Sequence, residues 1–127
     1  MSKKILIVDD EPHIRALLEQ ALEDLEDEGV ELLSAGNGLD AWAMAQKESP
    51  DLIILDVMMP RMSGYEVCER VKLEPTLDNV YIIMLTAKGQ AMDRQRGEQV
   101  GADEYVTKPF DPDYLIERAE AVLGINS

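Results

Sequence analysis

Uninterrupted apolar runs only four to six residues long, each closing on a reactive side chain, constrain this chain more than any other feature. Ile5–Val8 leads into Asp9 and Asp10, Leu52–Leu55 into Asp56, and Val80–Leu85 into Thr86. Runs this short, rich in branched residues and bounded by polar ones, read as strands buried on both faces. Two weaker stretches, Glu31–Ala35 and Tyr105–Thr107 before Lys108, complete five strands. The segments between them carry helical signals. Pro12 occupies a first helical position, and Ile14, Leu17, Leu18, Ala21, Leu22 and Leu25 follow on one stripe until Gly29. Asn37 caps a helix through Ala41, Trp42 and Ala45, which Ser49-Pro50 stops. Ser63 and Glu66 have capping-box spacing ahead of Cys68 and Val71. Met92–Val100 reads as a fourth helix, mostly polar and weakened by Gly97, and Asp111 with Pro112 opens a fifth through Leu123. Strand and helix thus alternate five times. That pattern predicts a doubly wound α/β domain, with a parallel five-stranded sheet in the order 2-1-3-4-5 and right-handed crossovers. Residues 1–127 are expected to form this one domain, with no room for a second.

Composition narrows the function. Acids outnumber bases 26 to 12, for a formal net charge of −14. Non-specific nucleic-acid binding needs basic surface to replace counterions, and anionic membrane needs the same, so neither partner is expected. An acidic chain attracts cations instead. The apolar run after Met1-Ser2-Lys3-Lys4 stops at Asp9-Asp10-Glu11, too short for a signal peptide, and no run approaches a membrane span. The lone Cys68 permits no internal disulfide, which fits a reducing cytoplasm.

In open α/β sheets, ligands bind beyond the carboxyl ends of the strands where the winding reverses. The order 2-1-3-4-5 makes the first and third strands neighbours at that point. Asp9, Asp10, Asp56, Thr86 and Lys108 would therefore converge there. Three carboxylates packed together raise one another's pKa, and a hard divalent cation removes the conflict. A cation and an ammonium also suit a dianionic phosphoryl group, with Thr86 able to donate to one of its oxygens. A carboxylate is a competent nucleophile when charge on the equatorial oxygens is neutralised. The site is thus equipped for phosphoryl transfer onto an aspartate, with Asp56 the candidate acceptor. Singly, each residue has a plainer reading: an acidic pair as a turn feature, Asp56 as a cap, Thr86 as a strand end, Lys108 as surface.

The motifs Ile7-Val8-Asp9-Asp10-Glu11, Leu55–Gly64 with its Met58-Met59-Pro60, Met84-Leu85-Thr86-Ala87 and Tyr105–Phe110 together resemble a two-component response-regulator receiver domain, CheY-like and flavodoxin-like in fold. The resemblance runs from Lys4 to Leu123. It implies that Asp56 accepts a phosphoryl group from a histidine kinase or histidine phosphotransfer protein. It implies that Asp10, Asp56 and the backbone carbonyl of Met58 hold Mg²⁺ or Mn²⁺, and that Asp9 acts mainly through metal-bound water. Lys108 would pair with phosphoryl oxygens, Thr86 and Tyr105 would act as switch residues, and Lys108-Pro109 would be cis. Lys88 and Met58 would flank the site. The polar fourth helix, with the fifth strand and fifth helix, would form the face that responds to phosphorylation and binds an unidentified output protein. The state would be a monomer or a phosphorylation-dependent dimer.

This implies a stand-alone cytoplasmic signalling switch, not a turnover enzyme. A receiver cut from a larger regulator or hybrid kinase is the alternative. An aspartyl-nucleophile phosphatase fits worse, because the position two after Asp56 is Met58 where such enzymes place a second acid. A nucleotide or flavin binder lacks its glycine-rich loop. His13 reads as a surface residue, Cys68 as core, and Met58, Met59 and Met62 either as gap-fillers or as an adaptable partner surface.

Overall fold

The computed structural model describes residues 3–87 and 101–125. Five strands, β1 (Lys3–Val8), β2 (Val30–Ala35), β3 (Leu52–Asp56), β4 (Tyr81–Ala87) and β5 (Glu104–Lys108), form one sheet in the order β2-β1-β3-β4-β5. Every neighbouring pair is parallel. The α-helices among the described residues are α1 (Pro12–Leu22), α2 (Gly38–Glu48), α3 (Gly64–Leu73) and α4 (Pro112–Leu123).

Strand periodicity divides the core into two layers. Leu6, Val8, Ile53, Leu55, Ile82 and Met84 face α2 and α3, where Ala41, Ala45, Val67, Cys68 and Val71 meet them. The alternate residues Ile5, Ile7, Leu52, Ile54, Ile83 and Leu85 face Leu18 and Leu22 of α1 and Leu115, Ala119 and Leu123 of α4. All of β1's apolar residues and all of β3's are buried, as a sheet covered on both faces requires. The caps form where the sequence signals them. Asn37 accepts from the Asp40 N–H, Ser63 from that of Glu66, and Asp111 from that of Asp113.

Several boundaries differ from the sequence reading, and β1, β4 and β5 start at Lys3, Tyr81 and Glu104. The first helix ends at Leu22, and Glu23–Glu28 winds as a 3₁₀ turn up to Gly29, which has φ of 86°. Carboxylates crowd this end, where the helix dipole opposes them, and the tighter turn still seats Leu25 in the core. β2 begins at Val30, not Glu31, paired with Lys3. β4 and β5 run on to Ala87 and Lys108, which pair with each other, because polar strand ends still satisfy backbone groups in the ladder. The expected fourth helix, Met92–Val100, and Lys88 lie outside the described residues.

Candidate functional site

β1 and β3 are neighbours at the centre of the sheet, and the winding reverses between them. Asp9 follows β1 directly, and its N–H still donates to the Ala35 carbonyl of β2 at 3.3 Å. Its side chain is fully buried and both oxygens are engaged: Oδ1 accepts from the Glu11 N–H at 2.9 Å, and Oδ2 from Lys108 Nζ at 2.9 Å. Asp56 closes β3, is 6% exposed, and its Oδ1 accepts from the same ammonium at 3.0 Å. Asp10 is exposed, with a carboxylate oxygen within 4.8 Å of those of Asp9 and Asp56. Lys108, the last residue of β5, thus bridges two acids from two other strands. The Lys108–Pro109 peptide bond that follows is cis.

Among the described side chains, three carboxylates meet the one Lys108 ammonium, with the Arg15 guanidinium behind them on the Asp9 carbonyl, so acidic groups outnumber basic ones at the site. Burial, reinforced by the charge of Asp9 and opposed by the Lys108 hydrogen bond, pushes the Asp56 carboxyl up to about 6. Burial alone would lower the Lys108 pKa, but its hydrogen bonds to Asp9 and Asp56 outweigh that and hold it above its usual value. The donor set is all oxygen and rich in carboxylates, which fits a hard divalent cation such as Mg²⁺. A cation among these groups would favour the ionised form of Asp56.

Register places the remaining residues. Asp56 pairs with Leu85, so Thr86 stands one step beyond the level of Asp56 on the adjacent strand, buried at 7% exposure. Tyr105 pairs with Met84, two residues before Thr86, so Tyr105 and Thr86 share a sheet face. Tyr105 is half-buried against the α2–α3 layer. Met58 turns its side chain outward at 68% exposure, whereas Met62 is buried and Met59 packs on the core. These three methionines therefore divide: Met62 is buried, Met59 packs half-buried on the core and Met58 faces solvent. His13 lies on the surface, 3.5 Å from Glu11, and Cys68 is buried, its thiol pushed up to about 12 by burial.

Three features at the site have no counterpart in the sequence reading. Gly64 opens α3 against the backbone of Asp56: a Cβ there would collide with the Asp56 carbonyl oxygen. Gly38 does the same against the Met62 carbonyl. Both let the loop from Val57 to Ser63 lie flat behind Asp56, with the Gly64 N–H donating to the Val57 carbonyl at 2.9 Å. Within that loop Arg61 holds φ of 71° as the Met62 N–H closes onto the Pro60 carbonyl at 2.8 Å, a strained three-residue turn. Arg15 of α1 is the third, with Nη1 donating to the Asp9 carbonyl at 2.7 Å. Gly64 stands in a motif that names the loop but not the contact, Gly38 follows a cap residue with no signal of its own, and a lone arginine in a polar stripe gives no signal at all.

A five-stranded parallel sheet in this order, with acids and a lysine gathered where the winding reverses, defines a CheY-like α/β domain with a cation-compatible acidic site. The chain belongs to the response regulator receiver domain family, whose family model matches residues 5–120. It is 46% identical over 123 residues to the phosphate regulon transcriptional regulatory protein PhoB of Pseudomonas aeruginosa, which covers 97% of this chain and 52% of that protein. The chain spans about half the length of the curated relatives it matches. The chemotaxis response regulator CheY4 of Vibrio cholerae superposes with a TM-score of 0.83 at 36% identity, covering 96% of this chain and 99% of that one. The receiver domain of the sensor histidine kinase PA1611 from Pseudomonas aeruginosa, solved with magnesium in its active-site cleft, gives 0.85 at 27% identity over 98% and 99% of the two chains. No helix among the described residues is long and apolar enough to cross a membrane.

Proposed function

We propose that this domain is a phosphorylation switch whose Asp56 accepts a phosphoryl group from a phosphohistidine. One observation carries the reading: a single lysine ammonium is shared between a fully buried aspartate and the strand-end aspartate that would react. Asp10, Asp56 and the Met58 backbone carbonyl are the groups that would hold Mg²⁺ or Mn²⁺. Asp9 would act through water, since both of its oxygens already accept from the protein. Membership in the family and the magnesium in the PA1611 cleft support that assignment.

In the step itself, an Asp56 carboxylate oxygen attacks phosphorus. The O–P bond forms as the N–P bond of the donor breaks, and the electron pair stays on the leaving imidazole. A divalent cation held by Asp10, Asp56 and the Met58 carbonyl would supply positive charge against the phosphoryl oxygens. Lys108 moves its hydrogen bond from Asp56 Oδ1 to a phosphoryl oxygen while remaining tied to Asp9. Thr86 donates its hydroxyl to another oxygen, and Tyr105, on the same sheet face, follows it inward. The donor is a histidine kinase or a histidine phosphotransfer protein, and the modified form acts through protein contact. The domain turns over no separate substrate: two residues beyond Asp56 stands Met58, which offers no acid to a leaving group.

Intact mass after incubation with acetyl phosphate and Mg²⁺ tests the reading. The expected result is a gain of one phosphoryl group that requires the metal, is labile to hydroxylamine and is lost in Asp56→Asn. An unmodified, folded protein with Mg²⁺ bound would overturn it.

A further inference from the structure

Asp9 is fixed at its side chain by Lys108 and Glu11, and at its main chain by Arg15. The Asp9 carbonyl belongs to the peptide that joins Asp9 to Asp10. Rotation of that peptide would swing the exposed Asp10 carboxylate away from Asp9 and Asp56 while leaving the Asp9 side chain in place. Among the described residues, the hydrogen bond from Arg15 Nη1 at 2.7 Å is the contact that holds this carbonyl. Arg15 is half-buried and one turn into α1, where its own N–H donates to the Glu11 carbonyl at 3.1 Å. Its guanidinium lies against Gly36, just past the end of β2, where a Cβ would stand 3.0 Å from Nη1. The absent side chain at 36 leaves the space through which the guanidinium reaches the carbonyl.

We infer that Arg15 is a positioning residue for the divalent cation: it sets the Asp9–Asp10 peptide so that the Asp10 carboxylate faces Asp56, and Gly36 provides the notch that lets it do so. This rests on the metal-site reading above. It also opposes the plainest electrostatic expectation. A cation beside a cation-binding site repels its ligand, so if charge were all that Arg15 contributed, removing it would tighten Mg²⁺ binding. Positioning predicts the opposite sign, because groups that orient metal ligands typically carry about tenfold or more in affinity.

The test is calorimetric titration of MgCl₂ into wild type, Arg15→Ala, Arg15→Gln, Arg15→Lys, Gly36→Ala and Asp10→Asn, each with its metal-free melting temperature. Arg15→Ala is expected to weaken Mg²⁺ binding about tenfold. Arg15→Lys and the uncharged donor in Arg15→Gln should recover part of that loss. Gly36→Ala, which keeps the arginine and displaces it, should weaken binding in the same direction by a smaller factor. Unchanged or tighter binding in Arg15→Ala, with Asp10→Asn still losing the metal, would overturn the role of Arg15 and leave the metal site standing. So would a loss in Arg15→Ala that neither donor variant relieves. If wild type binds no Mg²⁺, or Asp10→Asn binds it as wild type does, the metal-site reading itself fails and the role of Arg15 with it.

Discussion

The two ends of the sheet handle charge in opposite ways. At the amino ends of the strands, each partly buried acid has its own donors. Asp103 takes Lys72 Nζ at 2.6 Å and the Ile82 N–H at 2.8 Å, and Glu48 takes Lys4 Nζ at 2.9 Å. Glu104 collects Arg118 and the hydroxyls of Tyr81 and Tyr114. At the carboxyl ends, Asp9 and Asp56 share the one Lys108 ammonium among the described residues, with the exposed Asp10 carboxylate close by. The first arrangement closes its charges locally and serves the fold. The second holds like charges together against their repulsion, and burial compounds the cost at Asp56. A fold tolerates such an excess where something else is to be bound, so the contrast marks the functional end.

Breaking the bridge at the carboxyl end should have the largest effect. Lys108→Ala leaves the fully buried Asp9 without its cation, and chemical denaturation should show a loss of about 3 kcal/mol, together with greatly slowed phosphoryl acceptance. Gly64→Ala comes next. The added methyl group must push the Asp56 carbonyl or the start of α3, so a destabilisation of about 1–3 kcal/mol is expected, with slower acceptance measured by intact mass. A change of similar size at the opposite end sharpens the contrast. Lys72→Ala should cost about 1–2 kcal/mol by leaving Asp103 and the Val80 carbonyl short of a donor, yet leave acceptance at the wild-type rate.

Asp56→Asn should act on stability in the other direction. The Asp56 carboxyl rises from an ordinary 3.8 to about 6 on folding, so the folded state holds its proton more tightly. Wild-type stability therefore falls as pH rises through that window, and the penalty is complete above it. Metal-free Asp56→Asn should be more stable than wild type at pH 7.5 by up to about 3 kcal/mol, the difference shrinking as pH falls to about 4. Tyr114→Phe should have the smallest effect. Glu104 keeps Arg118 and Tyr81, so a loss of about 0.5 kcal/mol or less is expected by thermal denaturation, with the site untouched.

What could be read from the sequence was local or lay at strand ends. Leu52–Leu55 announces a buried strand by its own composition, and Asp56 follows it by one position, so the strand and its terminal carboxylate come together. The caps at Asn37, Ser63 and Asp111 signal themselves within three residues. Once the strand order is granted, Asp9, Asp56 and Lys108 must meet, although they lie far apart in the chain. Contacts with no periodic signature stayed hidden. Arg15 reaches a carbonyl six positions back and rests on Gly36 of another crossover, and Lys72 meets Asp103 across 31 positions. The glycines at 38 and 64 show why a side chain is missing only when the backbone facing them is known. The division of the methionines, with Met58 outward and Met62 inward, likewise depends on a strained turn at Arg61 that composition does not reveal.

The central claim is that burial and the neighbouring carboxylates hold the Asp56 carboxyl above its ordinary range, and that a divalent cation would bring it down. Its most direct test is the carboxyl ¹³C shift of Asp56 followed through a pH titration, without and with saturating Mg²⁺. The account predicts a midpoint near 6 without metal and a clear fall when Mg²⁺ is present. An ordinary midpoint near 4 in the metal-free protein, or a raised one that Mg²⁺ leaves unmoved, would contradict it.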